Sequence, residues 1–466
     1  MVELWLGPGR RLIADAEPGV NGVNGLGWWI VVAGLIFATG CTPLGRGVQR
    51  GRMAYQLGDF TTAQTELAKV AESRSPAASA AKLDLAMAQM AGGQADDALQ
   101  TLRQLRDHFD HDSGLSAAGN VVSLVADDNL REYRPAGYEQ VMIRSMLSLC
   151  SLTVDDGDAD SYALQAQMRQ AELARQAESR GLGSAGEVYQ PLALAPYLRG
   201  VLREATLRDY DDASRAYQLV SQLQPGFAPA AGDIARCLDG VHSAPGHGVL
   251  YVIAMVGRGP VLEEVDAEVT TAALQIASQV HSLSQQDRMA LPNLVSVKVA
   301  QPVVPWSPAA AVSLESSGVW LGATQPLVDI GEMAIRQGEA EMPWTLARAI
   351  ARRVTKQVAV DQATRGVGLT GVGGELAKFA TVNVWSFTER ADTRCWGLLP
   401  RQVQVLRAEL PVGVHRIASR VVGSQGHPLG ATTYTEVEIE DGRNAYLTIF
   451  ASDREAFVAR TPHIGD

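Results

Sequence analysis

The stretch at residues 50–76 reads RGRMAYQLGDFTTAQTELAKVAESRSP. Its signature is Gly58-Asp59-Phe60 followed by Ala63. A small residue such as Ala63 lets two antiparallel helices cross closely, and an aromatic ring at Phe60 fills the gap beside the turn. The stretch therefore predicts a compact helical hairpin.

The same pattern returns at residues 81–105, AKLDLAMAQMAGGQADDALQTLRQL. Gly93 and Ala98 stand 35 positions after Gly58 and Ala63. That offset is close to the ~34-residue period of tetratricopeptide repeats. The second stretch therefore predicts another hairpin stacked on the first.

A third unit occupies residues 197–225, YLRGVLREATLRDYDDASRAYQLVSQLQP. Tyr210 precedes Ala213, and Pro225 follows Ala213 by twelve positions, which is the spacing of the repeat itself. Proline ends the second helix because it lacks a backbone donor. Three units predict an all-α, tetratricopeptide-like superhelix over residues 41–242. A plain bundle of amphipathic helices is the alternative.

The chain begins with a candidate export signal. Residues 28–39 carry no charge, and twelve residues match the apolar core of a signal peptide better than a membrane span of ~20. The run ends in Gly40-Cys41, and lipoprotein signal peptidase accepts small residues before a cysteine. We expect residues 1–40 to be removed between Gly40 and Cys41, and Cys41 to carry lipid. Ala38 stands where leucine is usual, so an uncleaved signal anchor is the alternative.

The pattern changes after residue 247, where short β-rich runs begin. Residues 249–257, VLYVIAMVG, predict a buried strand, and residues 294–305, LVSVKVAQPVVP, an alternating one. Residues 401–417 alternate around Val403 and Val405. Residues 247–466 are therefore predicted to form a mixed α/β domain that ends in β-hairpins, which makes the whole chain α+β.

Three further elements are predicted in this second domain. Residues 263–283 read as an amphipathic helix, and residues 343–363 as a longer one with Pro343 in its first turn. Residues 435–450, TEVEIEDGRNAYLTIF, predict a hairpin that turns at Asp441-Gly442.

Composition excludes several function classes. The net charge of −11 argues against nucleic-acid partners, which require clustered Lys and Arg. The four cysteines form no Cys-x-x-Cys pair, so we expect Cys150, Cys237 and Cys395 to be plain buried thiols. We expect no cofactor and no metal.

Candidate ligand and catalytic motifs fail on inspection. Asp156, Asp158 and Asp160 resemble the start of a calcium loop, but the glycine and glutamate that it needs are missing. Gly366-x-Gly368-x-x-Gly371 has the spacing of a dinucleotide-binding fingerprint. A true fingerprint follows a strand, whereas these glycines follow a predicted helix. No nucleophile elbow or zinc-protease motif is present, so we expect no enzymatic activity.

Residues 391–400, ADTRCWGLLP, combine four conspicuous side chains before a strand, namely Asp392, Arg394, Trp396 and Pro400. An Asp392–Arg394 pair with Trp396 as an apolar plug is predicted to lock the β-module onto the long helix. A partner-recognition patch is the alternative.

Several stretches resemble a family of bacterial envelope lipoproteins with tetratricopeptide-like helices and no assigned activity. They are CTPLG at 41–45, the Gly-Asp-Phe repeat, and residues 131–149, 343–356 and 391–417. The resemblance runs from Cys41 to about Leu447, and the Asp-x-Arg-x-Trp…Leu-Pro segment is its most specific part. It implies an envelope role, since the family's genes often neighbour those of a curli-secretion-like lipoprotein and a lipoprotein like the penicillin-binding-protein activators. The family assigns no catalytic residues.

Together these patterns predict a lipid-anchored adaptor facing the periplasm, with the outer membrane as the expected anchor site. Its repeat groove would bind envelope proteins or peptides, as accessory to a secretion or cell-wall complex. An envelope enzyme that acts on cell-wall or lipid substrates through the C-terminal domain is the alternative. The sequence leaves the oligomeric state open.

Overall fold

The computed structural model describes residues 43–116, 132–179, 192–284, 296–366 and 390–459. The predicted signal peptide and lipidation site at Gly40-Cys41 lie outside these ranges, as do Gly368 and Gly371. Within the described ranges, no helix is both long and apolar enough to cross a membrane.

Helices fill the first half of the described chain, and consecutive helices pack against one another. They are α1 (Pro43–Gln56), α2 (Phe60–Ala71), α3 (Ala78–Ala91), α4 (Ala95–Ser116), α5 (Gly137–Val154), α6 (Ala159–Ser179), α7 (Leu194–Glu204), α8 (Tyr210–Leu223) and α9 (Pro229–Leu238). The predicted helical-repeat architecture is confirmed.

The repeat residues lie where the hairpins close. Ala63, Ala98 and Ala213 are fully buried, as close helix crossing requires. Gly58 (φ +77°) and Gly93 (φ +80°) occupy the left-handed region between the helices of their pairs, which glycine adopts without steric cost. The repeated glycine therefore marks a repeated turn geometry.

The second half of the described chain contributes the strands and two more helices. In chain order these are β1 (His247–Arg258), β2 (Val261–Glu268), α10 (Thr271–Ser284), β3 (Ser296–Val303), β4 (Ala311–Ser316), β5 (Val319–Ala323), β6 (Gln325–Asp329), α11 (Ile330–Gly366), β7 (Pro400–Pro411), β8 (Gly413–Val422), β9 (Thr433–Ile439), β10 (Asn444–Ala451) and β11 (Phe457–Val458). The predicted α+β fold class is confirmed.

These strands form three sheets. A five-stranded sheet has the order β11-β10-β1-β7-β6, a four-stranded sheet the order β5-β4-β8-β9, and β2 pairs with β3 in a ribbon. Strand β1 runs parallel to β10 and antiparallel to β7. The other named pairs are antiparallel.

Strand β1 lies in the middle layer of the molecule, and its side chains alternate between two cores. One face joins the core shared with the helices, through Val249, Tyr251, Ile253 and Met255. The other face joins the core shared with the four-stranded sheet, through Leu250, Val252, Ala254 and Val256. The helices, the five-stranded sheet and the four-stranded sheet therefore form three layers. The division into folding units at 41–242 and 247–466 stays a prediction.

A smaller lobe has its own core. The β2–β3 ribbon packs with α10 and the second half of α11 around Val297, Val299, Leu346 and Ile350. The first half of α11 instead joins the main core through Ile330 and Met333. Helix α11 therefore connects the lobe to the sandwich.

Two predictions in this region were wrong at their boundaries. Residues 263–268 belong to β2, because Val265 and Ala267 alternate onto the core of the lobe with period two and pair with β3. Pro343 lies inside α11 and not in its first turn, since the residues before it already pack as a helix on the main core. Leu346 and Ile350 of this helix are buried.

The predicted hairpin at Asp441-Gly442 was also wrong. The turn exists, with Gly442 at φ +66°, but the strands on its two sides enter different sheets. Strand β9 pairs with β8, whereas β10 pairs with β1 in parallel. Each strand therefore buries its apolar side chains by pairing in its own sheet, and the two strands do not pair with each other.

Candidate functional site

The first helices of three successive pairs hold one extended segment of the same chain. Residues 391–399, which we call the docked segment, form neither helix nor strand over most of their length. Arg52 on α1, Asp84 on α3 and Glu139 on α5, which we call the clasp, all bond to it. The first helix of each pair lines the inner face of a helical-repeat array.

The clasp binds the main chain of the docked segment. The Arg52 Nη2 donates to the Cys395 carbonyl oxygen at 2.7 Å. The Leu398 N–H donates to Asp84 Oδ1 at 2.9 Å, and the Trp396 N–H to Glu139 Oε1 at 2.8 Å. Bonds to main-chain groups are how grooves recognise extended peptides of varied sequence.

The members of the clasp are also bonded within the repeats. Arg52 Nε donates to Asp84 Oδ2 at 2.6 Å. Glu139 Oε2 accepts from the Ala136 N–H at 2.7 Å and from the Tyr133 hydroxyl. Buried polar groups of this kind require such partners to offset their desolvation.

Burial controls the electrostatics of the clasp. It raises the pKa of Asp84, and the charge of Arg52 opposes that rise. Burial likewise raises the pKa of Glu139, against its bonds from Tyr133, Trp396 and Ala136. In Arg52 itself burial disfavours the charge, but Asp84 outweighs that effect and the pKa is raised. In both members of the pair, burial and the attraction between the two groups therefore shift the pKa in opposite directions.

Trp396 anchors the docked segment in the main core. Its side chain is fully buried, and its indole N–H has no hydrogen-bond partner within the described residues. The next residue, Gly397, approaches the clasp so closely that a Cβ would lie 2.3 Å from Arg52 Cζ. The segment is therefore fitted to the repeats by shape as well as by hydrogen bonds.

Both flanks of the docked segment are tied down. Arg394 pairs with Asp392 at 2.7 Å and donates to the Pro76 carbonyl oxygen at 2.5 Å. The Ala391 N–H donates to Glu264 Oε2 on β2 at 2.7 Å. Pro400 begins β7. The predicted Asp392–Arg394 pair is present. The prediction was that it would lock the β-module onto the long helix, but these bonds join the segment to the helical repeats and to β2.

A second buried cluster, which sequence reasoning missed, joins the later repeats to the sheet. Glu204 at the end of α7 accepts from Arg236 at 2.5 Å, from the Tyr217 hydroxyl at 2.9 Å and from the Tyr251 hydroxyl at 3.3 Å. Arg407 of β7 lies 3.9 Å from the same carboxylate. Glu204 and Tyr217 both lie in the recognised repeat unit at 197–225, but no sequence pattern linked them to Arg236, Tyr251 or Arg407.

The three aspartates that resembled a calcium loop, Asp156, Asp158 and Asp160, serve a structural role. Asp156 and Asp158 both pair with Arg103 on α4, and Asp160 pairs with Arg199 and Arg203 on α7. No group of side chains suited to a metal ion occurs among the described residues. The aspartates connect neighbouring helices.

An open cleft with about 310 Å³ of free space lies where α1 meets the end of β1. Tyr55, Met255, Gly257, Arg258 and Ser452 are among the residues that line it. Asp392 and Arg394 are not part of its lining, so the cleft and the sequence-predicted patch are separate features.

Comparison with known proteins agrees with the repeat architecture. A family model described as tetratricopeptide repeat matches residues 54–118. That range begins within α1 and covers α2, α3 and α4. No curated protein and no solved structure matches the chain significantly. Residues 54–118 are thus similar to tetratricopeptide repeats, which generally mediate protein–protein interaction.

Proposed function

We propose that this protein is a lipid-anchored adaptor of the bacterial cell envelope that binds other proteins through its helical repeats. The repeats support the adaptor role, and the Gly40-Cys41 sequence supports the anchor. The charge of −11 disfavours nucleic acid as the partner.

The observation that carries the proposal is the docked segment. Three repeats bind its main chain through Arg52, Asp84 and Glu139. Such side-chain to main-chain hydrogen bonds also serve peptide recognition between proteins, so the repeats can bind an extended peptide. Because Trp396 is fully buried there, this stretch of the inner face is committed to holding the repeats on the sandwich. External partners are therefore expected on the outer surface.

Helix α6, the second helix of its pair, offers such a surface. Leu164 and Met168 are four residues apart and both exposed, so they share one face of the helix. An apolar pair on an exposed helical face is a common anchor for a partner helix or peptide. We place the partner contact there.

In-cell photocrosslinking tests the adaptor role. A photoreactive amino acid at Met168 should give a discrete heteromeric adduct, whereas the same group at Trp306, an exposed position on the loop before β4, should not. Loss of the adduct on Leu164→Glu would show that the α6 face makes the contact. No adduct from Met168 under any growth condition would contradict the proposed surface.

Palmitate labelling with detergent phase partition tests the anchor separately. The native chain should take up label and enter the detergent phase, and Cys41→Ala should do neither. Unchanged partition without label would mean an uncleaved anchor over residues 28–39.

A further inference from the structure

Five chain segments meet at one end of the β-sandwich. The first residue of β1, His247, pairs with Pro411 at the end of β7. Strand β8 begins opposite the end of β9, with Gly413 paired to Ile439. Strand β10 begins beside Val249 near the start of β1. These strand ends therefore share one end of the molecule.

Exposed apolar side chains concentrate at this end. Trp320 is 68% exposed and Val414 is 67% exposed, and Val319 and Val412 are also exposed. The β4–β5 turn is tied to this region because Ser316 Oγ lies 3.2 Å from His415 Nδ1, whose ring bonds to the Pro411 carbonyl oxygen at 2.7 Å.

The helical layer extends the same surface. The Val412 N–H donates to the Gly246 carbonyl oxygen at 3.0 Å, which places it beside the loop that follows α9. A Cβ on Gly442 would lie 3.9 Å from Leu207. We call the exposed residues of this region the apolar end: Leu207, Leu238, Val241, Val319, Trp320, Val412 and Val414.

The apolar end has the size of a protein interface. From their exposed fractions, its seven side chains present on the order of 500 Å² of apolar area. A standard interface buries ~800 Å² on each partner, of which roughly 60% is apolar. Single exposed apolar residues need no explanation, whereas the largest apolar patch of a protein is often functional.

The apolar end lies far from the end of helix α1. Helix α1 packs at the opposite end of β1, where Tyr55 and Gln56 border the same cleft as Met255 and Gly257. The twelve residues of β1 separate the two ends by about 40 Å.

The rim of the apolar end suits a second copy of the same chain. Arg416 and Arg443 are exposed there, and so are Glu438 and Asp441. A two-fold axis places each patch on its own equivalent, so a rim with both signs of charge can pair cations with anions across the interface. We infer that the apolar end is the interface of a homodimer, covered by a second copy about a two-fold axis.

Cysteine crosslinking in the full-length, membrane-extracted protein tests this inference. The three described native cysteines are free and buried, so Val414→Cys introduces the exposed thiol, and Met53→Cys on α1 at 64% exposure is the matched control. Mild oxidation should link most Val414→Cys chains into a covalent dimer and leave Met53→Cys monomeric. Adding Val412→Glu should reduce the Val414→Cys crosslink to the control level.

Sedimentation of the same samples supplies the second measurement. The native protein should show twice the mass of one chain, and Val412→Glu the mass of one. Since Val412 is exposed, its variant should keep the circular dichroism spectrum of the native fold. A monomer at every concentration, or equal crosslinking from Val414→Cys and Met53→Cys, would overturn the inference. Vesicle binding lost on Trp320→Ala in a monomeric protein would instead assign the apolar end to a membrane.

Discussion

Single residues in the docked segment show how tightly it is fitted. Gly397 lies against the guanidinium of Arg52, and that guanidinium is itself held by Asp84 and the Cys395 carbonyl. The Arg52 side chain cannot move away from Gly397 without losing its hydrogen bonds to Asp84 and to the Cys395 carbonyl oxygen. A glycine here is therefore required by close approach, although no turn needs it.

Gly397→Ala is accordingly expected to destabilise the protein by about 1–3 kcal/mol, the usual cost of overpacking. Gly232→Ala is the control, because Gly232 lies inside α9 with nothing near its missing side chain. That change should stabilise the protein by roughly 0.5–1 kcal/mol. Urea unfolding of both variants measures the two effects. A Gly397→Ala variant as stable as the native protein would show that the Arg52 side chain can move aside.

Cysteine reactivity belongs to the same scale. Cys150, Cys237 and Cys395 are free and buried, as the sequence predicted, and burial raises the pKa of the Cys237 thiol to about 12. A buried thiol that is not ionised reacts poorly with disulfide reagents.

We therefore expect the native protein to react very slowly with a thiol reagent such as DTNB, and the urea-unfolded chain to show all three thiols. Cys41 adds none if it is thioether-linked to lipid. Absorbance at the wavelength of the released thiolate measures both states. Fast reaction of the native chain would mean that one of these sites opens locally.

At the scale of elements, the clasp unites α1, α3 and α5 with the segment before β7. Its ion pair is almost wholly buried, with Asp84 inaccessible and Arg52 22% exposed. Removing one partner of such a pair leaves an uncompensated charge, which costs far more than an exposed pair contributes.

Arg52→Met is expected to cost about 3–5 kcal/mol at neutral pH. Without the arginine, burial of Asp84 is opposed only by its main-chain hydrogen bonds, and its folded-state pKa rises further above the unfolded value. A raised carboxyl pKa gives stability that is present at low pH and lost as pH rises through the folded pKa.

Part of the loss in Arg52→Met should therefore be recovered between neutral and mildly acidic pH, and Arg52→Met with Asp84→Leu should lose that recovery. Chemical denaturation over this pH range provides the measurement. A parallel pH profile for the native protein and Arg52→Met would refute this role of the pair.

At the scale of the whole molecule, the repeats depend on the sandwich. The core that contains Ala63, Leu67 and Met87 of the repeats also contains Tyr251 and Ile253 of β1 and Trp396 of the docked segment. Glu204 adds a buried polar connection between α7 and β1. The helical repeats and the five-stranded sheet therefore each need the other to bury their apolar faces.

A fragment of residues 41–246 is therefore expected to retain helical content without a cooperative melt, and to bind a dye for exposed apolar surface. Far-ultraviolet circular dichroism and dye fluorescence would measure this, with the full chain as the reference. A sharp transition in the fragment would instead confirm the predicted boundary at 242–247 as a boundary between folding units.

The sequence by itself determined the helical repeats, because a helix pair, its glycine turn at Gly58 or Gly93 and its crossing alanine are all local. It also determined the buried strand at 249–257 and the Asp392–Arg394 pair, which are short-range patterns. Only the tertiary structure decided where Trp396 is buried, which sheet β10 joins and how Glu204 meets Tyr251. Those choices depend on which distant surfaces exclude water together, and period and spacing along one chain carry no record of them.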